Sequence, residues 1–111
     1  MMKRTAVIAL AAGIALSAAS IASAADVAAG KAKAAEVCQA CHGAGGNSES
    51  PDFPKIAGQH ADYLAKTLRD YKSGQRKNPI MAGFAQALTK QDIENLAAFY
   101  GSQPAVVSAK H

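Results

Sequence analysis

The chain has 111 residues, 50% of them hydrophobic, and 12 basic against 8 acidic side chains give a formal charge of +4. That length accommodates a single domain. With no tryptophan, three tyrosines and three phenylalanines, it carries no basic stripe interleaved with aromatics, and composition alone gives no support to nucleic-acid binding.

The first two dozen residues have the form of a secretory signal peptide. Lys3 and Arg4 make a short positive start, Ala6 to Leu16 is an almost unbroken apolar run, and Ala22-Ser23-Ala24 is a small-x-small cleavage site. Cleavage is expected after Ala24, with Ala25 as the neighbouring choice. An uncleaved anchor fits less well, because Ser17 and Ser20 interrupt the run and it falls short of about 20 residues. Residues 1–24 are therefore expected to be removed, leaving a domain over 25–103 and a loose tail over 104–111. Loss of Lys3 and Arg4 leaves 10 basic residues against 8 acidic ones, a net charge of +2. A chain of about 87 residues buries a modest share of its surface and gains much from a covalent or cofactor staple.

Asp26 is the expected N-cap of a helix that runs through alanine-rich sequence to the first chemical motif. Gly30, Ala34 and Cys38 fall four apart on one face, a small-residue ridge that suits a close helix crossing. A frayed first turn at Gly30 is equally compatible with that spacing.

The motif itself is Cys38-Gln39-Ala40-Cys41-His42. Cys-x-x-Cys-His is the attachment pattern of c-type haem. Positions three apart share a helix face, so Cys38 and Cys41 can offer two sulfurs to the two vinyl groups along one porphyrin edge. His42, next along the helix, is then offset so that its imidazole reaches over the ring plane to the iron. Three other uses of these residues are weaker. A thiol-disulfide pair normally accompanies strand-helix alternation, which is missing here. A structural zinc needs a fourth nitrogen or sulfur ligand, and His60 and His111 stand at no finger-like spacing. A disulfide between residues so close would close too short a loop to constrain much.

Gly43 to Pro54 is rich in Gly, Ser, Asn and Pro and reads as an ordered loop. Across Asp62 to Ser73 the residues Tyr63, Leu64, Leu68 and Tyr71 form one apolar stripe, and Gly74 ends that helix. Gln75 to Leu88 reads as a loop containing Asn78-Pro79, Met81 and Gly83, with a short helical turn at Phe84 to Leu88. Met81 is the only thioether left once Met1 and Met2 are removed. A buried methionine usually fills a gap, but its place in a loop between helices suits a ligand delivered opposite His42. Thr89 caps the last helix with Asp92 as an imperfect capping-box partner. Ile93, Leu96, Ala97 and Tyr100 carry its helical period, with Phe99 beside them, and Gly101 and Pro104 mark its end.

These segments together resemble a small bacterial class I cytochrome c, and equally one half of the dihaem periplasmic cytochromes. The resemblance rests on Cys38 to His42, Phe53 to Gln59, Tyr63-Leu64, Tyr71 to Gly74, Met81, and Leu88 to Ile93 through Phe99-Tyr100. It implies an all-α fold, three main helices and short helical turns wrapped around one covalent haem c. It further implies iron held by His42 and Met81, with the Pro54 carbonyl accepting the His42 Nδ1 proton, and a close crossing of the terminal helices that brings Gly30 against the face bearing Leu96 and Phe99. With both axial positions filled, the resemblance implies a periplasmic electron carrier, not an enzyme, that meets redox partner proteins by transient docking. No small-molecule substrate, no nucleic acid and no stable membrane insertion after signal cleavage are expected. Its alternatives are an electron-transfer subunit of a periplasmic dehydrogenase or oxidase, and a haem sensor with a displaceable Met81. Ligation by His60 is the remaining variant, and a histidine at a polar helix entrance is ordinarily solvated. Arg76, Lys77 and Asn78 stand just before Met81, where they suit either a haem propionate or a solvated turn.

Overall fold

Asp26 caps the first helix, its carboxylate accepting from the Ala29 N–H at 3.0 Å. From there the computed structural model, which describes Gly13 and residues 24–105, runs through five helices: α1 (Val27–Val37), α2 (Gln39–His42), α3 (Ala61–Ser73), α4 (Pro79–Gln86) and α5 (Lys90–Ser102). A 3-10 turn, Ala44–Gly46, follows α2, and among the described residues there is no strand. Apart from Gly13 and Ala24, the expected signal peptide lies outside the described residues, as do residues 106–111 of the tail. None of the described helices is long and apolar enough to cross a membrane.

α1 and α5 cross in close contact, and Gly30 is the reason they can. A Cβ at Gly30 would sit 2.0 Å from the Asn95 carbonyl oxygen and 2.9 Å from Phe99 Cβ, inside the volume of the opposing backbone. Ala34, one turn on, is buried at the same crossing. Of the two readings of Gly30, close approach holds. The face it meets carries Asn95 and Phe99, while Leu96, wholly buried, sits in the core shared with α3. Asn95 adds a polar tie that spacing did not disclose: its Oδ1 accepts from the Asp26 N–H and from Gln91 Nε2, each at 2.8 Å. A buried amide so paired costs little and holds the start of α1 against the middle of α5.

α5 starts as expected and more completely. Thr89 Oγ1 accepts from the Asp92 N–H at 3.0 Å while the Asp92 carboxylate accepts from the Thr89 N–H at 2.9 Å, a full capping box.

Two elements depart from expectation. The first helix stops at Val37, and Cys38 caps both it and the separate four-residue α2, although its backbone (φ −114°, ψ −36°) stays in the right-handed helical region. The segment read as a loop around Met81 is the helix α4. Asn78 caps it, its side-chain oxygen accepting from the N–H groups of Ile80 and Met81, both at 3.1 Å, and Pro79 fills the first helical position. There proline loses no hydrogen bond and its fixed φ already suits a helix. Gln86 Nε2 donates to the Lys72 carbonyl at 2.8 Å, and the Lys72 ammonium donates to the Leu88 carbonyl. Both bonds pin the far end of α4 to the end of α3.

Candidate cofactor site

α3, α4 and α5 enclose one side of a cleft of about 360 Å³ whose other side is α2 and the 47–60 loop. α2 packs on α1 and on the turn after it, α4 packs on α3, and α2 and α4 make at most marginal contact with each other. Side chains from α2 and α4 therefore approach the cleft from separate supports. Cys38, Cys41, His42 and Met81 all line it. The rest of the wall is mainly apolar, with Leu64, Leu68, Phe84 and Leu96 among the contributors.

His42 is buried, and its ring Nδ1 lies 2.8 Å from the Pro54 carbonyl oxygen. A carbonyl can only accept, so Nδ1 is the donor and Nε2 is the ring nitrogen left for a ligand bond. Pro54 is delivered by a backbone junction at Gly46, whose carbonyl accepts from the N–H groups of Ile56 and Ala57 at 2.9 and 3.1 Å. Gly46 sits at φ +82°, and a Cβ there would stand 2.8 Å from the Tyr100 ring and 2.9 Å from Ala57 N. Only glycine meets both demands, so a loop position with no chemistry of its own sets where the histidine's partner stands.

Cys38 and Cys41 are half-buried and not joined to each other. Burial pushes the Cys38 thiol above its ordinary range, against a smaller opposing effect from its hydrogen bond with Tyr100. Tyr100 is raised as well, by its own burial and then by Cys38. A half-buried thiol with a raised pKa is the reverse of the exposed, low-pKa cysteine that disulfide exchange requires. Among the described residues no three His, Cys, Asp or Glu side chains gather as a metal cluster. What the site offers instead is two sulfurs, one oriented imidazole nitrogen and one thioether on the wall of an apolar cleft, a donor set that fits an iron porphyrin and none of the other three uses.

The remaining expected residues fall as follows. Tyr63, Leu64, Leu68 and Tyr71 form one stripe, as their spacing indicated, and all four line the cleft, Leu64 belonging also to the protein core and Leu68 packing against it. His60 stands exposed at the N-cap of α3, makes no capping hydrogen bond, and does not line the cleft. Arg76 and Asn78 line the cleft; Lys77 does not. Sequence reasoning missed Gly46 as the junction behind Pro54 and the pairing of Tyr100 with Cys38. Glycine at a loop and tyrosine at a helical core spacing carry no signal of either contact.

Residues 25–99 match the family model described as "Cytochrome C oxidase, cbb3-type, subunit III". The chain belongs to this cytochrome c family, as a class I c-type domain, and its cofactor is covalent haem c with iron, for which Cys38, Cys41 and His42 supply the attachment motif. It is 51% identical over 75 residues to a cytochrome c4 of Thiocapsa roseopersicina, an alignment covering 68% of this chain and 38% of that protein. It is 42% identical over 70 residues to cytochrome c-554(548) of Halomonas halodenitrificans, covering 60% of this chain and 84% of that one. The crystal structure of reduced recombinant cytochrome c4 from Pseudomonas stutzeri superposes with a TM-score of 0.71 at 45% identity, over 76% of this chain and 48% of that one. The chain thus spans about two fifths of the length of the cytochrome c4 relatives it matches. The expected all-α cytochrome c fold is the observed one.

Proposed function

We propose that this protein is a one-electron carrier acting in the periplasm, with His42 and Met81 as the axial ligands of a single haem held covalently by Cys38 and Cys41. The observation that carries the reading is the pairing of a buried His42, its Nδ1 committed to the Pro54 carbonyl, with a thioether on the wall of the same cleft. The haem, when bound, supplies a reversible ferric–ferrous couple. The chain's own residues decide how that couple is used. Pro54 holds the His42 proton away from the iron side and fixes the ring's rotation. Met81, in the first turn of α4, is held by Asn78 and by the anchoring of Gln86 on α3. With His42 and Met81 both bound to the iron, no coordination site would be open to oxygen or substrate. The apolar wall from Leu64, Leu68, Phe84 and Leu96 keeps water out and disfavours the extra positive charge of the ferric state.

The carrier meets its redox partners through brief, small contacts and has no substrate of its own. It reaches the periplasm by an N-terminal signal cut after Ala24 or Ala25, which N-terminal sequencing of exported protein tests directly. The ligand assignment is tested by Met81→Ala. That variant is expected to keep covalent haem and to bind carbon monoxide rapidly in the ferrous form, while the wild type does not. Rapid binding by both proteins would identify a sensor-like open site instead.

A further inference from the structure

Arg76 is a cation on the cleft wall that forms no ion pair with a carboxylate among the described residues. α3 ends at Gly74 in a left-handed conformation (φ +84°), and the chain folds back so that the Arg76 N–H donates to the Asp70 carbonyl at 3.1 Å. The side chain is then held by α3 itself: Nη1 donates to the Tyr63 hydroxyl at 3.3 Å, and the guanidinium carbon lies 5.1 Å from the centre of the Tyr71 ring. Both tyrosines line the cleft beside it. The ion pairs among the described residues join Lys33 to Glu36 and Asp92, Lys66 to Asp70, and Arg69 to Glu94, and none involves Arg76. Asp52 lines the same cleft from the 47–60 loop, with Lys55 beside it, yet forms no ion pair with Arg76. α4 brings no charged side chain to the cleft.

A phenol and an aromatic face orient a guanidinium without cancelling its charge, and they leave most of its five donors unused. That is an arginine pre-ordered for a planar anion, since its fork matches a carboxylate bidentately. Resting on the function proposed above, we propose that Arg76, clamped by Tyr63 and Tyr71, binds a propionate carboxylate of the haem and raises the cofactor's reduction potential. The sign follows from charge. An unpaired propionate anion favours the ferric state, and a guanidinium bound to it removes part of that preference.

The test is potentiometric titration of haem-loaded wild type, Arg76→Gln and Arg76→Lys. Arg76→Gln is expected to shift the reduction equilibrium roughly three- to tenfold toward the ferric form, about 30 to 60 mV at 59 mV per tenfold for one electron. Arg76→Lys keeps the charge but not the fork and recovers most of that shift. A second readout needs no variant. In protein carrying ¹⁵N-arginine, the Arg76 side-chain N–H resonances are expected to exchange slowly with water and to shift between oxidised and reduced states. An unmoved midpoint in Arg76→Gln, or a freely exchanging Arg76 in wild type, overturns the assignment alone. A wild type with no covalent haem or no reversible couple overturns the functional reading as well.

Discussion

The two ends of this small domain are packed on opposite terms. Where α1 crosses α5, protein meets protein: Gly30 admits the Asn95 carbonyl, Ala34 and Phe99 are buried, and Asn95 Oδ1 accepts two hydrogen bonds. Around the cleft, large exposed side chains stand beside buried ones such as Leu64 and Leu96. Ile80 is 61% exposed, Tyr63 49% and Phe84 46%, and all three line the cleft. Large apolar side chains left open on one wall, in a chain without tryptophan, show a core built to be completed by another apolar body. The first region is held by steric fit and the second by its cofactor, and each can be broken separately.

The largest effect is expected from removing the cofactor. A Cys38→Ser, Cys41→Ser double variant that carries no haem should be largely unfolded, its far-ultraviolet circular dichroism flattened relative to the loaded protein. A spectrum equal to that of the wild type would mean that the α1–α5 crossing carries the fold alone.

Gly30→Val attacks the other region. The new side chain would begin 2.0 Å from a backbone oxygen that cannot rotate away, and a loss of about 3 kcal/mol or more in denaturant unfolding is expected. The haem spectrum of the surviving folded fraction should be unchanged. Leu96→Ala lies where the two regions join, buried in the core and lining the cleft. It should cost about 2–5 kcal/mol and also shift the haem absorption, whereas Gly30→Val should not.

The smallest effect is at the capping box of α5. Thr89→Ala should cost about 1 kcal/mol with no change at the haem. The Thr89 N–H holds the Asp92 carboxyl below its ordinary value of 3.8. The lowered folded-state pKa means that this contribution is present above the ordinary carboxylate pKa and is lost as pH falls through the folded one. Asp92→Asn should therefore be less sensitive than wild type to acidification below about pH 4.

The same division explains which parts of the molecule were legible in the chain. Asp26, Thr89 and Asp92 act within three residues of themselves, and their caps were read correctly because nothing distant decides them. The donor set of the cleft was legible as well, since Cys38, Cys41 and His42 form one contiguous motif and Met81 has no rival thioether in the described chain. α4 was missed for a local reason that admits two readings. Asn78-Pro79 marks a turn, but asparagine is also a strong N-cap and proline a good first helical residue, and Ile80 and Phe84 already stood one turn apart. Gly30 was undecidable because its meaning lies in α5, some 65 residues on, and the same holds for Gly46 against Tyr100 and for Arg76 between two tyrosines. Contacts of that kind leave no periodicity to read.

The axial pair His42 and Met81 is the claim on which the functional account turns, and the absorption spectrum of the ferric wild-type protein addresses it most directly. A weak band toward the red end of the visible range, reporting a bond from methionine sulfur to iron and lost in Met81→Ala, is the predicted result. A wild-type spectrum without that band would contradict the account.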